Sequence, residues 1–251
     1  MDGALLAAVE ELDALAPLHN RRAAAVMRAG LAALPQLPHV ACFDTGFHAD
    51  LPEDAWRYPL PNEWVERWGI RRFGFHGLSV AWSVRRAAEL LARSPQELRL
   101  VVAHLGSGCS VTAVDGGRSV DTSMGYTPFE GPMMGTRSGS VDPGILLHVL
   151  RNGISADELA AGLIQRSGLL AVAGHASARD VERNAAGGDQ RARMALAMFA
   201  RSVAAAIASA TTALPTLDAL IYTGGIGEHS AAIRAAITGR LSSVGLPSEL
   251  R

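Results

Sequence analysis

A chain of 251 residues, 49% of them hydrophobic, is long enough for one large domain or two smaller ones around a sizeable core. Its 23 basic and 24 acidic residues leave a net charge of -1, which offers no electrostatic footprint for nucleic acid or an anionic membrane. Every basic residue is arginine, which excludes a P-loop with its lysine, and Cys42 and Cys109 fit neither a metal spacing nor a disulfide framework. From the N-terminus, Leu5, Leu6, Val9 and Leu12 recur at helical spacing until Pro17 ends the pattern. Val40 to Phe43 reads as a buried β segment with Asp44 at its end, and residues 78–94 read as a helix stopping before Ser94-Pro95. Leu98 to Leu105 is the strongest strand signal. A Gly-Ser-Gly turn follows it, then a second strand over Val111 to Val114, and Asp115-Gly116-Gly117 is a hairpin turn. Residues 123–143 are rich in glycine and proline yet apolar, with Arg137 the one cation among them. Helical patterns cover 142–151, 155–166 and the alanine-rich 190–213, and the segment from Leu217 reads as strand, glycine turn and helix. The pattern is that of an α/β protein with glycine-rich turns directly after buried strands. No apolar run approaches the ~20 residues of a membrane span, and no signal-peptide layout is read at the N-terminus. Together with reduced thiols, this points to the cytoplasm.

Five features have the chemistry of a phosphate site, and each also has a plainer reading. In TGGIGEHS (223–230) a strand ends in Gly-Gly-x-Gly and enters a helix, so free N–H groups and a positive dipole end suit a phosphate; a tight structural turn would look the same. In HLGSGCS (104–110) the glycines let the backbone approach an anion, or simply close a hairpin. His104 there either contacts phosphate or caps the sheet. His76, beside Phe75 and Gly77, either donates to a phosphoryl oxygen or is a buried histidine satisfied by backbone. Asp44 either handles a metal or nucleophile or caps a turn. Taken with Arg137, the set describes phosphoryl transfer better than any other chemistry.

Six stretches, LAPLHN, FDTGFH, GIRRFGFHG, HLGSG, SVDTSMGYTPFEGPMMGTRSGSVDP and TGGIGEHS, occur in the order found in the acetate kinases. By that resemblance the chain is identified as a member of the acetokinase group of the sugar kinase, Hsp70 and actin superfamily, over nearly its whole length. The resemblance implies a ribonuclease H-like (actin-like ATPase) fold. Residues 1–48 would close an incomplete first domain, and 49–251 would form most of the second, nucleotide-binding one. It implies transfer of the γ-phosphoryl group of ATP to acetate with Mg²⁺, in a homodimer, or the same reaction on propionate or butyrate. Asp44, His76 and Arg137 take the catalytic positions. The nucleotide positions are His104, Leu105, Gly106, Ser107 and Gly108, then Ser177, Ala178 and Arg179, then Gly224, Gly225, Ile226, Gly227 and Glu228. Leu18, His19, Phe75 and Pro128 line the acceptor pocket, with Met133 and Met134 packing beneath the central loop. The chain departs from the family pattern at Arg21, Val80, Ser107 and Ser177, where a proline, a histidine, an asparagine and an aspartate are usual. The family's first phosphate loop, a substrate-gripping arginine and the usual metal-linked glutamate are expected outside these residues. A catalytically inactive nucleotide-binding or dimerising chain is the contrasting expectation.

Overall fold

The computed structural model describes residues 1–12 and 20–246. Leu18 and His19 therefore lie outside the described residues, as does Pro17. Helices α1 (Gly3–Glu11) and α2 (Asn20–Ala33) pack on each other, the first started by the Asp2 carboxylate accepting from the Leu5 amide. The chain from Leu34 to Phe43 is irregular and leads into a 3-10 turn at Gly46–His48. The short helices α3 (Glu53–Trp56) and α4 (Asn62–Trp68) follow, then α5 (Gly77–Leu91).

Strands β1 (Arg99–Leu105), β2 (Cys109–Asp115) and β3 (Arg118–Thr122) form an antiparallel meander. Gly116 and Gly117 both take positive φ (58° and 82°) in the second hairpin, the geometry a two-residue connection needs to match strand twist. Five helices come next: α6 (Pro143–Arg151), α7 (Ala156–Gln165), α8 (Gly168–Ala173), α9 (Ala178–Ala186) and the long α10 (Gln190–Thr211). Strand β4 (Ala219–Thr223) then returns beside β1, parallel to it, followed by α11 (Gly224–His229), α12 (Ala231–Thr238) and a 3-10 turn at Ser242–Val244. The sheet order is β3-β2-β1-β4.

Side chains alternate across this sheet, so each face has its own core. Val101, Ala103, Leu105, Val111 and Ala113 meet Phe199, Val203 and Ile207 of α10 on one face. Leu100, Val102 and Val114 meet Val80, Val84 and Ala87 of α5 on the other. Helix α10 is long and apolar enough to cross a membrane by length and composition, which the reading of the sequence did not find. Its buried residues, Ala192, Ala195, Phe199, Val203 and Ile207, recur every three or four positions along the face on the sheet, as in a core helix.

Val40 to Phe43 is not a strand. Among the described residues no neighbour supplies the ladder its N–H and C=O groups would need, and Val40 is 82% exposed. Asp44 accordingly starts a turn and does not end a strand. The glycines at 224–227 belong to the first turns of α11 itself, a tighter strand-to-helix junction than a free loop.

Candidate active site

The parallel pairing of β1 with β4 sets the site. Its register places His104 beside Thr223, so the 106–108 turn and the 224–227 turn leave the sheet side by side at the carboxyl ends of parallel strands. In open α/β sheets this is where ligands bind. A Cβ on Gly224 (φ 77°) would come 2.7 Å from the Leu105 carbonyl oxygen, so glycine is what lets the two turns touch.

The 44–48 turn packs across the start of α5. The Asp44 carboxylate accepts from the His76 amide (2.7 Å), and the Asp44 carbonyl accepts from the Gly77 amide (2.7 Å). A Cβ on Gly77 would lie 2.4 Å from that carbonyl oxygen. His76 itself has φ 58°, a left-handed conformation rare for a residue with a side chain. His48, fully buried, bonds Ser119 Oγ through Nδ1 (2.8 Å) and the Phe75 carbonyl through Nε2 (3.0 Å). The carbonyl can only accept, so Nε2 carries the proton. Burial holds the His48 pKa below its ordinary value, against the pull of the Phe75 carbonyl and Asp44. Residues 74–77 are thus gripped from both sides.

From that grip the His76 ring reaches Ser110 Oγ (Nδ1, 2.9 Å) and stacks on His104 with centroids 4.0 Å apart. His104 Nδ1 meets Ser79 Oγ at 2.9 Å. Burial lowers the His104 pKa, while Asp44 and Glu228 act in the opposite direction. Ser110 sits opposite His104 in the β1–β2 ladder, so one register places both members of the stacked pair.

Arg137 comes from the 123–143 stretch, whose backbone is tied down at many points. The amides of Ser167, Leu169 and Leu170 at the start of α8 donate to the carbonyls of Thr136, Met134 and Gly135. The Ser138 amide donates to Leu163, and Ser202 Oγ accepts from the Met133 amide. Met133 and Met134 are buried beneath, as the sequence predicts. Arg137 is 7% exposed as a residue, its guanidinium donates to the Pro128 carbonyl at 2.7 Å, and burial lowers its pKa. Pro128 is buried and touches the arginine through its carbonyl.

The elements converge at Gly108. A Cβ there would lie 3.3 Å from Arg137 Nη1, from Arg137 Nη2 and from His76 Nε2. A Cβ on Gly106 would lie 3.6 Å from His104 Nε2. Arg137, His76, His104 and the glycine turn, spread over 62 positions of sequence with Asp44 further upstream, therefore share one small region. Fixed cationic and N–H donors without competing side-chain bulk suit oxygens that gain charge during transfer.

The other predicted residues divide. Phe75 is half-buried and packs on the core; Leu105 and Ala178 are buried in it, and Ile226 is half-buried against it. Ser107, Arg179, Gly225 and Glu228 are exposed, with Glu228 accepting from Thr223 Oγ1 at 3.4 Å and Gly227 buried below. Ser177 caps α9 by accepting from the Asp180 amide. A Cβ on Gly135 would meet the Ala176 carbonyl at 2.8 Å and the Ser107 carbonyl at 3.9 Å, so the 175–179 segment and the 106–108 turn flank the same loop. Arg71 lies over Trp56 (5.0 Å), and Arg72 pairs with Glu130 at 3.1 Å, so both brace structure. Sequence reasoning missed His48, Ser79 and Ser110. The one available signal was the polar alternation Ser110, Thr112 inside an otherwise apolar strand. Two clefts of about 460 and 400 Å³ border the central loop, but Asp44, His76, His104 and Arg137 line neither.

Among the described residues no group of three or more His, Cys, Asp or Glu is placed to hold a metal. Mg²⁺ bound with nucleotide needs only one or two carboxylates, since phosphates and water complete its octahedron. Asp44 fits that smaller demand: it is exposed, and its second oxygen accepts no bond from a described residue.

Fold and site define an α/β chain of the actin-like ATPase class with a phosphate-suited cluster at its parallel strand ends. A model of the acetokinase family matches residues 1–250, and the chain belongs to that family. It is 51% identical to an acetate kinase of Synechococcus sp. (strain JA-2-3B'a(2-13)) over 95% of this chain and 59% of that protein. It is 48% identical to one of Deinococcus deserti over 98% of this chain and 62% of that protein. A propionate kinase structure from Francisella tularensis superposes with TM-score 0.93 at 42% identity, covering 97% of this chain and 63% of that one. Porphyromonas gingivalis acetate kinase superposes with TM-score 0.89 at 35% identity, covering 98% and 62%. The chain thus spans 59–62% of the length of these curated relatives.

Proposed function

We propose that these residues form the phosphoryl-transfer centre of an acetate kinase, moving the γ-phosphoryl group of ATP to acetate. The observation that carries this is the approach of Arg137 and His76 to the same point above Gly108. Charge spreads over the equatorial oxygens of the phosphoryl group in transit, and donors fixed before the reaction stabilise it without reorganising. In this reading Asp44 holds Mg²⁺ together with the nucleotide phosphates, and the metal supplies charge neutralisation there. The 104–108 turn, the 177–179 segment and residues 224–228 take the nucleotide. Leu18, His19, Phe75 and Pro128 border the acceptor. Residues 1–48 close a first actin-like domain and 49–251 form most of a second, in a homodimeric cytoplasmic enzyme.

The similarity to a propionate kinase structure favours propionate as a second acceptor. One methylene is worth only ~1–3 kcal/mol in a pocket, so the two differ in degree. Hydroxamate trapping of acyl phosphate with acetate, propionate and butyrate tests both. Turnover highest with acetate is the expected result. No turnover on any of the three, alongside measurable ATP binding, would make this a nucleotide-binding chain without transfer activity.

A further inference from the structure

The two stacked imidazoles are held alike. Each has Nδ1 on a serine hydroxyl at 2.9 Å, His76 on Ser110 and His104 on Ser79. Each also has Nε2 toward the glycine turn, near Gly108 and Gly106 respectively. Nothing in the phosphoryl-transfer reading assigns a part to either serine.

Ser110 is fully buried, and His76 Nδ1 is its side-chain partner among the described residues. A hydroxyl has one proton to place and two lone pairs. An unplaced buried donor is costlier than an unfilled lone pair, so the Ser110 hydroxyl donates and Nδ1 accepts. A neutral imidazole that accepts at Nδ1 must carry its proton on Nε2. Ser79, half-buried on α5, meets His104 Nδ1 at the same 2.9 Å.

We propose that Ser110 and Ser79 are positioning residues that fix both histidines in the Nε2–H tautomer, so that the pair presents two parallel N–H donors to an anion at the Gly106–Gly108 turn. A ring in the other tautomer would turn a lone pair toward that anion and repel it. The ligand class is a phosphate or phosphoryl oxygen. That assignment rests on the phosphoryl-transfer reading, whereas the tautomers themselves do not.

Long-range ¹⁵N–¹H correlation spectra of the ¹⁵N-histidine-labelled chain, at mildly alkaline pH, report each tautomer directly. Signals are assigned by His76→Gln and His104→Gln. The expected wild-type result is a proton on Nε2 and an unprotonated, hydrogen-bonded Nδ1 for both rings. Ser110→Ala should shift the Nδ1 signal of His76 more than that of His104, and Ser79→Ala should do the reverse. A wild-type proton on Nδ1, or Nδ1 signals that ignore loss of the serines, overturns the proposal. Ser79 is half-exposed on a helix, so its alanine variant keeps the test available if Ser110→Ala does not fold. Failure of turnover with intact tautomers would count against the transfer reading alone.

Discussion

Arg137 is the residue on which the proposed chemistry most depends. The residue is buried, and its guanidinium donates to the Pro128 carbonyl and is turned toward Gly108. Arg137→Ala is expected to lower acyl phosphate formation by roughly 10³–10⁵-fold, the range an arginine gives when it stabilises a phosphoryl transition state. ATP affinity by calorimetry should change little, and equal losses of binding and rate would contradict the role. Gly108→Ala probes the same point more gently. Its φ is not positive, so the backbone accepts alanine, but the new methyl stands 3.3 Å from both Arg137 and His76 and forces each aside by a few tenths of an ångström. Catalysis depends on near-attack geometry more steeply than folding depends on one contact. The expected outcome is a large fall in kcat with a melting temperature close to that of the wild type. A proportional loss of both would mean that Gly108 serves packing only.

At the scale of elements, the site is a matter of how the 44–48 turn, α5 and the β1–β2 hairpin are docked. Gly77→Ala would place a methyl 2.4 Å from the Asp44 carbonyl oxygen, backbone against side chain, with no flexible group to yield. Overpacking of this kind costs about 1–3 kcal/mol. A melting temperature lower by several degrees is expected, together with loss of protection of the His76 and Gly77 amides in hydrogen exchange. Unchanged exchange at those amides would show that the turn is not what holds them. The strands flanking the glycine turns were legible in the sequence because apolar runs and turn glycines are local signals. Val40 to Phe43 misled because its composition suits a strand, while pairing depends on a neighbour that composition does not reveal. His48 and Ser110 were illegible for the same reason: each gains its meaning from a residue 71 or 34 positions away. Asp44, His76, His104 and Arg137 could be named as candidates from residue type and flanking glycines. Their assembly around Gly108 required the register of β1 against β2 and β4.

Across the whole molecule, the buried histidines tie folding to pH. Burial is the largest cause of the lowered pKa of His48 and of His104, both below an ordinary 6.5. Above 6.5 neither the folded nor the unfolded chain protonates them, and their contribution to stability is fully present. As pH falls from 6.5 toward the folded values, the unfolded chain takes up protons that the folded chain refuses, so stability declines. The slope for one fully buried histidine is at most about 1.4 kcal/mol per pH unit. His104 is half-exposed and should contribute less. Asp121 works in the opposite sense: burial raises its pKa above 3.8, so its contribution is present in acid and is lost as pH rises through the folded value. Comparing His48→Gln with the wild type separates these effects, because the variant keeps Asp121 and His104 and loses one titrating group. Urea midpoints measured from neutral to mildly acidic pH should fall in both proteins, and less steeply in His48→Gln. The glutamine lowers the whole curve by disturbing the bonds to Ser119 and Phe75, but only a titrating imidazole changes its slope. Parallel curves would mean that His48 is protonated with equal ease in the folded and unfolded chain, which its burial against Gly74 and the Phe75 carbonyl argues against.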